Sequence, residues 1–239
     1  MKRLLFLAVC CAMSGAVGQQ TDAPRKIQGA RVIFLGDSLT SNNGNLGPKR
    51  GYYHWTDVLK TRFNLETVNL GKGGSRADAG LERLRQTLSA GSFKPDFVII
   101  NFGMNDHKIA EKTKEPVSSN EAFEKQLGDI VDLVRKSGAT PILVAPHAIF
   151  EGEKGNKHSY YGKYDPANFT QYGGALARFD TFIESIRKVA AARDVPLVDI
   201  RKESDKYNRA DYTLEGVHLN KSGHQMYADT IGNFLAAHY

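Results

Sequence analysis

"RVIFLGDSLTSNNG", residues 31–44, joins an apolar run to a cluster of small and polar residues. The run at 32–35 is continuous, as in strands that are buried on both faces of a parallel sheet. Gly36, Asp37 and Ser38 follow at once, so a serine hydroxyl lies where this strand ends. Because ligands of parallel α/β sheets bind at the carboxyl ends of the strands, the stretch predicts an α/β fold with a candidate nucleophile at its binding edge.

Strand-like and helix-like segments alternate along the rest of the chain. Short apolar runs predict strands at 32–36, 67–71, 96–103, 141–146 and 196–200. Apolar residues spaced i, i+3 and i+4 predict helices at 54–63, 77–90, 120–138, 175–193 and 221–237. Strands that alternate with helices form a parallel sheet covered on both faces. The predicted fold class is therefore α/β, with a five-stranded parallel sheet.

The segment at 149–174 fits neither pattern, because it is polar, rich in glycine and crowded with tyrosine. A loop of this length inside a compact domain is usually functional or mobile. Aromatic rings near the nucleophile, from Tyr52 and Trp55, offer faces on which a sugar can stack, and packing in the core is the alternative. The segment offers more such rings, from the tyrosines at 160, 161, 164 and 172.

The N-terminus differs in composition from the rest of the chain. Two basic residues precede an apolar run, and the small residues Ala16 and Gly18 follow it. This is the pattern of a secretory signal peptide, and the run is much shorter than the about 20 residues of a membrane span. We predict a cleaved signal peptide at 1–18, a single domain at 19–239, and a secreted or periplasmic protein without a membrane span. A buried N-terminal helix is the alternative.

Both cysteines, Cys10 and Cys11, lie in this N-terminal segment, so the mature chain would hold none. That excludes a small domain stapled by disulfides. A lipid anchor requires a small residue directly before the modified cysteine, and neither Val9 nor Cys10 fits well, so we do not expect lipidation. The formal charge is +6 without a long basic run or a nucleic-acid-binding motif, so we expect no nucleic-acid partner. The sequence does not indicate an oligomeric state.

A serine hydroxyl is a weak nucleophile until a base removes its proton, and the base needs an orienting partner. His218 stands just before the last predicted helix, and Glu215 precedes it by three residues. The oxyanion of an acyl transfer also needs preorganised donors. The candidates are the backbone N–H groups of Ser38 and Gly74 and the side-chain amide of Asn105. Each of these residues follows a predicted strand or precedes a helix, so we expect them to meet at one edge of the sheet.

Four blocks in chain order resemble the SGNH, or GDSL-like, hydrolase family, which is named for its Ser, Gly, Asn and His. They are "GDSL" at 36–39, the glycine block at 69–74, "GMND" at 103–106 and "EGVHLN" at 215–220. The resemblance implies a flavodoxin-like three-layer α/β/α fold and ester hydrolysis without a metal, often the removal of acetyl groups from carbohydrates. We therefore expect no cofactor, and a small-molecule or glycan ester as the substrate.

The sequence departs from this family at the acid of the triad. The family usually has Asp three residues before the histidine, and this chain has Glu215, which is one methylene longer. A glutamate is chemically adequate in a serine triad. The alternatives are a serine–histidine dyad assisted by a backbone carbonyl, and an acid from elsewhere, such as Asp211.

Several polar residues near these blocks have structural alternatives. Asp37 is expected to cap backbone N–H groups in the turn rather than to take part in chemistry. Lys72 and Arg76 flank Gly74, where they are either solvated charges or contacts for an acidic group of the substrate, such as a uronate or sulfate. The histidines without triad spacing are expected to be structural or superficial rather than metal ligands; they are His107, His147, His158 and His224.

These expectations combine into one function and two rivals. The first reading is a secreted serine esterase that removes O-acetyl groups from a carbohydrate. The rival enzyme is a lipid esterase, lysophospholipase or thioesterase, against which the chain shows no apolar lid segment for an acyl tail. The rival from another class is a non-catalytic glycan-binding protein on a hydrolase fold, and the intact serine, asparagine and histidine argue against it.

Overall fold

A computed structural model describes residues 26–42, 51 and 53–239 of the chain. Five parallel strands form one sheet in the order β2-β1-β3-β4-β5. The strands are β1 Arg31–Gly36, β2 Glu66–Gly71, β3 Phe97–Asn101, β4 Thr140–Ala145 and β5 Leu197–Asp199. This confirms the predicted five-stranded parallel sheet, and the strand order is the flavodoxin-like one. The predicted signal peptide at 1–18, its two cysteines and Tyr52 lie outside the described residues.

Helices cover both sides of this sheet. One pair, α1 and α7, packs together, and α2, α3 and α4 pack in a row. The helices are α1 Trp55–Phe63, α2 Ala77–Ala90, α3 Asn120–Lys136, α4 Ala175–Ala192, α5 Ile200–Ser204, α6 Arg209–Tyr212 and α7 Lys221–His238. The short helices α5 and α6 were not predicted, because one turn is too short to show a helical period. In the described part of the chain, no helix is both long and apolar enough to span a membrane.

The strand predicted at 96–103 ends earlier, at Asn101. Gly103 has a φ of 117°, which turns the chain out of the sheet. Its N–H donates to the carboxylate of Asp106 at 3.1 Å instead of to a neighbouring strand. The strand therefore ends two residues earlier than predicted. Phe102, the next apolar residue, lies outside the strand and packs under helix α2 against Gly80.

The segment at 149–174 is folded against the domain rather than structureless. It contains two 3-10 helices, Tyr160–Gly162 and Pro166–Tyr172. The Tyr160 N–H donates to Phe150 O at 2.8 Å, and the Tyr160 ring is fully buried. The Tyr160 hydroxyl also lies 3.0 Å from Nε2 of His107, just beyond the "GMND" block. This segment is therefore tied to the loop that follows β3.

Gly71 and Gly73, two glycines of the same "GKGG" block, provide a test of how tightly the strand ends pack. A Cβ on Gly71 would lie 2.4 Å from the backbone N of Ser41, in the turn that follows Ser38, whereas one on Gly73 would meet nothing within 4 Å. Overpacking of this kind costs about 1–3 kcal/mol. For a chain of this size each kcal/mol lowers the melting temperature by about 2–4 °C. We expect Gly71→Ala to lower the melting temperature by several degrees.

The matched control is Gly73→Ala, which should leave the melting temperature within about 1 °C of the parent because the added methyl group meets no atom. Differential scanning calorimetry measures both. Equal melting temperatures for the two variants would show that the turn after Ser38 does not pack against the end of β2 as described.

Candidate active site

Ser38 lies in a tight turn directly after β1. The Asp37 carboxylate accepts a hydrogen bond from the Leu39 N–H at 2.8 Å, and the Asp37 carbonyl accepts from the Ser41 N–H at 2.9 Å. The indole N–H of Trp55 donates to Leu39 O at 2.6 Å from inside the core. Asp37 thus has the capping role predicted for it, and the turn presents Ser38 at the end of the strand.

A second, hairpin-like loop carries His218. Its two ends pair in an antiparallel bridge between Thr213 and Leu219, and the Leu214 N–H donates to His218 O at 2.8 Å. His147 lies behind the loop, with Nε2 at 2.8 Å from the carbonyl of Val217. Burial lowers the pKa of His147 to about 3, so the ring is neutral and Nε2–H is the donor in this contact. The backbone beside His218 is therefore fixed from within the core.

The two loops bring Ser38, His218 and Glu215 together. Nε2 of His218 lies 2.9 Å from Ser38 Oγ, and Nδ1 of the same ring is hydrogen-bonded to Glu215 Oε1. Burial raises the pKa of Glu215, but the hydrogen bond and charge of His218 outweigh burial and hold the pKa below its ordinary value. An ionised carboxylate on Nδ1 leaves Nε2 free to take the proton of Ser38 Oγ.

Asp211, the alternative acid, is not in this arrangement. It is an exposed residue of the short helix α6 and lines a separate cavity with Lys221. The longer side chain of Glu215 folds back over its own loop, where Oε1 also accepts from the His218 N–H at 3.3 Å. The methylene that distinguishes glutamate from aspartate is thus accommodated within the loop.

Two candidate oxyanion donors have free backbone N–H groups. Among the described residues, the N–H groups of Ser38 and Gly74 donate to no acceptor of the protein. Gly74 has a φ of 73°, a conformation that side chains other than glycine rarely adopt, and it lines the same pocket as Ser38. Both groups are available to a bound oxygen atom.

Asn105, the third candidate donor, is held on both sides of its amide. Its Nδ2 donates to the Asp37 carboxylate at 3.2 Å and to Ser75 O at 3.1 Å, while its Oδ1 accepts from Lys108 Nζ at 2.7 Å. Both amide hydrogens therefore have acceptors within the protein. A role as an oxyanion donor requires that one of these hydrogens be shared with the substrate oxygen.

Asp106, next to Asn105, supports the site without facing it. Its carboxylate accepts from the Ala77 N–H at 2.9 Å, at the start of helix α2, and from the Gly103 N–H at 3.1 Å. Burial, with a smaller contribution from the nearby charge of Asp37, raises the pKa of Asp106 to about 7. Asp106 thus joins the loop after β3, which carries Asn105, to the start of helix α2, which follows the loop that carries Gly74.

The pocket beside Ser38 is small, with a volume of about 120 Å³. It is lined by the five predicted catalytic and oxyanion residues and by six others, Met104, Lys108, Tyr160, Lys163, Tyr164 and Val217. None of these six was named as a catalytic, oxyanion or substrate-binding residue, although the tyrosines at 160 and 164 were noted as possible sugar contacts. Spacing was the only available signal for Lys108, which follows Asn105 by three residues. Within the described residues, no three His, Cys, Asp or Glu side chains are grouped as a metal site.

Three of the predicted substrate contacts, Lys72, Arg76 and Trp55, do not line this pocket. Trp55 is completely buried against Phe34, at a ring separation of 5.3 Å, so it has no face for a sugar. Arg76 forms an ion pair with Asp78 at 2.7 Å, and Lys72 is exposed outside the pocket lining. Of the two possibilities for Trp55, stacking on a sugar and packing in the core, the structure shows the second, and its indole N–H supports the turn by donating to Leu39 O.

The sequence profile of the GDSL-like Lipase/Acylhydrolase family matches residues 34–226. The chain is 33% identical over 204 residues to a Bacillus subtilis (strain 168) protein named Uncharacterized lipoprotein YqeF, a match that covers 82% of each. Its fold is similar to that of the lipase/acylhydrolase of Enterococcus faecalis, with a TM-score of 0.64, 19% identity, and 87% and 96% of the two chains covered. It is also similar to a catalytic mutant of the acetylxylan esterase Axe2 of Geobacillus stearothermophilus, with a TM-score of 0.65, 20% identity, and 87% and 94% covered. The profile match confirms the family resemblance of the four blocks.

The contact between Glu215 and His218 can be tested with two substitutions. Glu215→Gln presents an amide N–H to the ring and favours the wrong tautomer, a change that costs about 10⁴-fold in serine proteases, so we expect kcat to fall by at least about 10². Glu215→Asp keeps the charge but shortens the side chain, so it should retain more activity than Gln and less than the parent. Initial rates on a chromogenic acetyl ester measure both, with circular dichroism as the folding control.

Parent-like rates from both Glu215 variants would show that this carboxylate does not orient His218. The dyad of Ser38 and His218 would then be the better account. A Gln variant that is unfolded by circular dichroism would leave the Asp variant to decide, because it preserves the charge in the loop.

Proposed function

Because the chain belongs to the GDSL-like lipase/acylhydrolase family, we propose that it is a serine ester hydrolase. Ser38 Oγ attacks the acyl carbon while His218 takes its proton, and His218 then gives that proton to the departing alcohol. Water, deprotonated by the same ring, hydrolyses the acyl-serine and releases the acid and the free enzyme. Glu215 keeps the ring oriented, and the N–H groups of Ser38 and Gly74 with the Asn105 amide bind the oxyanion.

The observation that carries this proposal is the contact between Ser38 Oγ and Nε2 of His218 at 2.9 Å, with Glu215 on the other ring nitrogen. The nucleophile and base come from opposite ends of the chain, and a merely structural hydrogen bond would not need the free N–H groups beside it. The same contacts argue against a glycan-binding protein that has lost its activity.

We further propose that the acyl group removed is acetyl and that the alcohol is a carbohydrate. The pocket volume of about 120 Å³ is well below the about 300–1,000 Å³ of sites that enclose drug-sized ligands, which suits a two-carbon acyl group. The ring of Tyr164 lines this pocket and supplies an aromatic face for a sugar. The similar fold of an acetylxylan esterase is consistent with this substrate class, although at 20% identity it supports the fold alone.

We propose that the protein is exported through the signal peptide predicted at 1–18. The similar Bacillus subtilis protein is named a lipoprotein, which is also a class of exported protein. N-terminal sequencing of the protein recovered outside the cytoplasm should begin just after Gly18. A chain that starts at a lipid-modified Cys10 or Cys11 would replace the signal peptide with a membrane anchor.

Acyl-chain length tests the substrate class. If the pocket accepts only a short acyl group, kcat/KM should be higher for an acetyl than for an octanoyl 4-nitrophenyl ester, by about tenfold or more. An enzyme with an acyl channel would gain up to about 0.8 kcal/mol for each added methylene, so its rates would rise with length. Ser38→Ala supplies the background rate and should be slower than the parent by at least about 10³.

Two outcomes would contradict these proposals separately. A rate that rises from acetyl to octanoyl would favour the lipid esterase while leaving Ser38 as the nucleophile. Activity of Ser38→Ala within tenfold of the parent on the acetyl ester would remove Ser38 from the mechanism altogether.

A further inference from the structure

Two lysines bring ammonium groups to the pocket that contains Ser38. Lys108 lies in the loop after β3, and Lys163 directly follows the first 3-10 helix of the segment at 149–174. Their Nζ atoms lie over the ring of Tyr164, at 5.2 Å and 5.6 Å from its centroid. Both lysines and the tyrosine line the pocket, so one of its walls combines an aromatic face with two positive charges.

Neither lysine has a carboxylate of the described residues within 4.0 Å. Other lysines in the described part of the chain form ion pairs within 4.0 Å; they are Lys125, Lys154, Lys188 and Lys206. Lys108 instead donates to the neutral amide oxygen of Asn105 at 2.7 Å, and Lys163 forms no ion pair within 4.0 Å among the described residues. An ammonium group has three N–H donors, so Lys108 retains others for a ligand.

Two carboxylates feel the charge of these lysines, Glu215 that of Lys163 and Asp37 that of Lys108, and both already accept hydrogen bonds from other groups. Glu215 is hydrogen-bonded to His218, and the buried Asp37 accepts from Leu39 N–H and the Asn105 amide. The pocket therefore offers an approaching substrate more positive charge than negative charge. A neutral acetylated sugar carries no negative charge that would interact with this excess of positive charge.

We propose that Lys108 and Lys163 form a subsite for an anionic substituent on the alcohol part of the ester, with the Tyr164 ring against the sugar that carries it. This inference rests on the proposed function and names the substrate class more closely, as an acetylated sugar that bears a uronate carboxylate or a sulfate group. It also moves anion recognition away from Lys72 and Arg76, which flank Gly74 in the sequence but lie outside the pocket lining.

Matched substrates test this subsite. They are an acetylated methyl uronide, the methyl glycoside of the corresponding neutral hexose acetylated at the same hydroxyl, and a sulfated form of that glycoside. We expect kcat/KM for the uronide to exceed that for the neutral glycoside by about tenfold, as a charge-assisted hydrogen bond supports. The preference should shrink at 1 M salt, where the Debye length falls to about 3 Å. The sulfated glycoside decides which anion is preferred.

Lys163→Met is the informative variant, because methionine keeps an apolar stem and removes the charge. We expect it to reduce the preference for the uronide to about threefold or less, chiefly through KM. Lys72→Met is the matched control: it removes one lysine charge from the neighbouring glycine loop but from outside the pocket, and the preference should remain about tenfold. Lys108 is left intact because it also holds the Asn105 amide.

The outcomes separate this proposal from the function on which it rests. If none of the three sugar esters is hydrolysed, both the proposed carbohydrate esterase and the subsite are overturned. Equal kcat/KM for the uronide, the sulfated glycoside and the neutral glycoside would overturn the subsite and leave the esterase standing. Loss of the preference in Lys72→Met but not in Lys163→Met would place the anion at the glycine loop instead.

Discussion

The buried carboxylate of Asp37 connects two parts of the candidate site that come from different strands. It accepts from the Leu39 N–H in the turn after β1 and from the Asn105 amide in the loop after β3. Removing a carboxylate from water costs free energy, and burial accordingly raises the pKa of Asp37 to about 6. The hydrogen bonds offset that cost only while both loops stay in place. The pairing of Gly36 with Asn101 at the ends of β1 and β3 makes this possible, since it brings the two loops level at one edge of the sheet.

The segment at 149–174 forms the outer wall of the pocket and is attached to two of the functional loops. Phe150 N–H donates to Gly216 O at 2.9 Å in the loop that carries His218, and Tyr160 reaches His107 beyond the asparagine block. Tyr160 also stacks on Tyr164 at a ring separation of 4.5 Å. The interior of the domain therefore positions the reacting groups, while this one segment supplies much of the surface that a substrate meets. Changes in its exposed residues can alter selectivity without disturbing the nucleophile or the base.

Much of the fold and of the candidate site could be predicted, because both depend on local patterns. Continuous apolar runs identify buried strands, and the residues that follow them meet at one edge by the geometry of a parallel sheet. The pocket walls could not be predicted in this way, since Lys163 is brought to the pocket of Ser38 only by the path of an irregular segment. The position of Trp55 could not be predicted either, because an aromatic residue beside a nucleophile block has the same sequence pattern whether it faces the substrate or the core. In the core its indole N–H finds an acceptor in Leu39 O, a contact that no spacing rule describes.

The two atoms that would exchange the first proton belong to residues separated by 180 positions in the chain. A protein chain is made from its N-terminus, and contacts between distant residues form late because closing a long loop costs entropy. Ser38 and its turn can be built as soon as the first strands pair, but the ring of His218 arrives only with the loop before the final helix α7. An incomplete chain therefore contains a serine without a base. If Ser38 and His218 act as proposed, the protein can hydrolyse an ester only after synthesis and folding have reached the loop before α7.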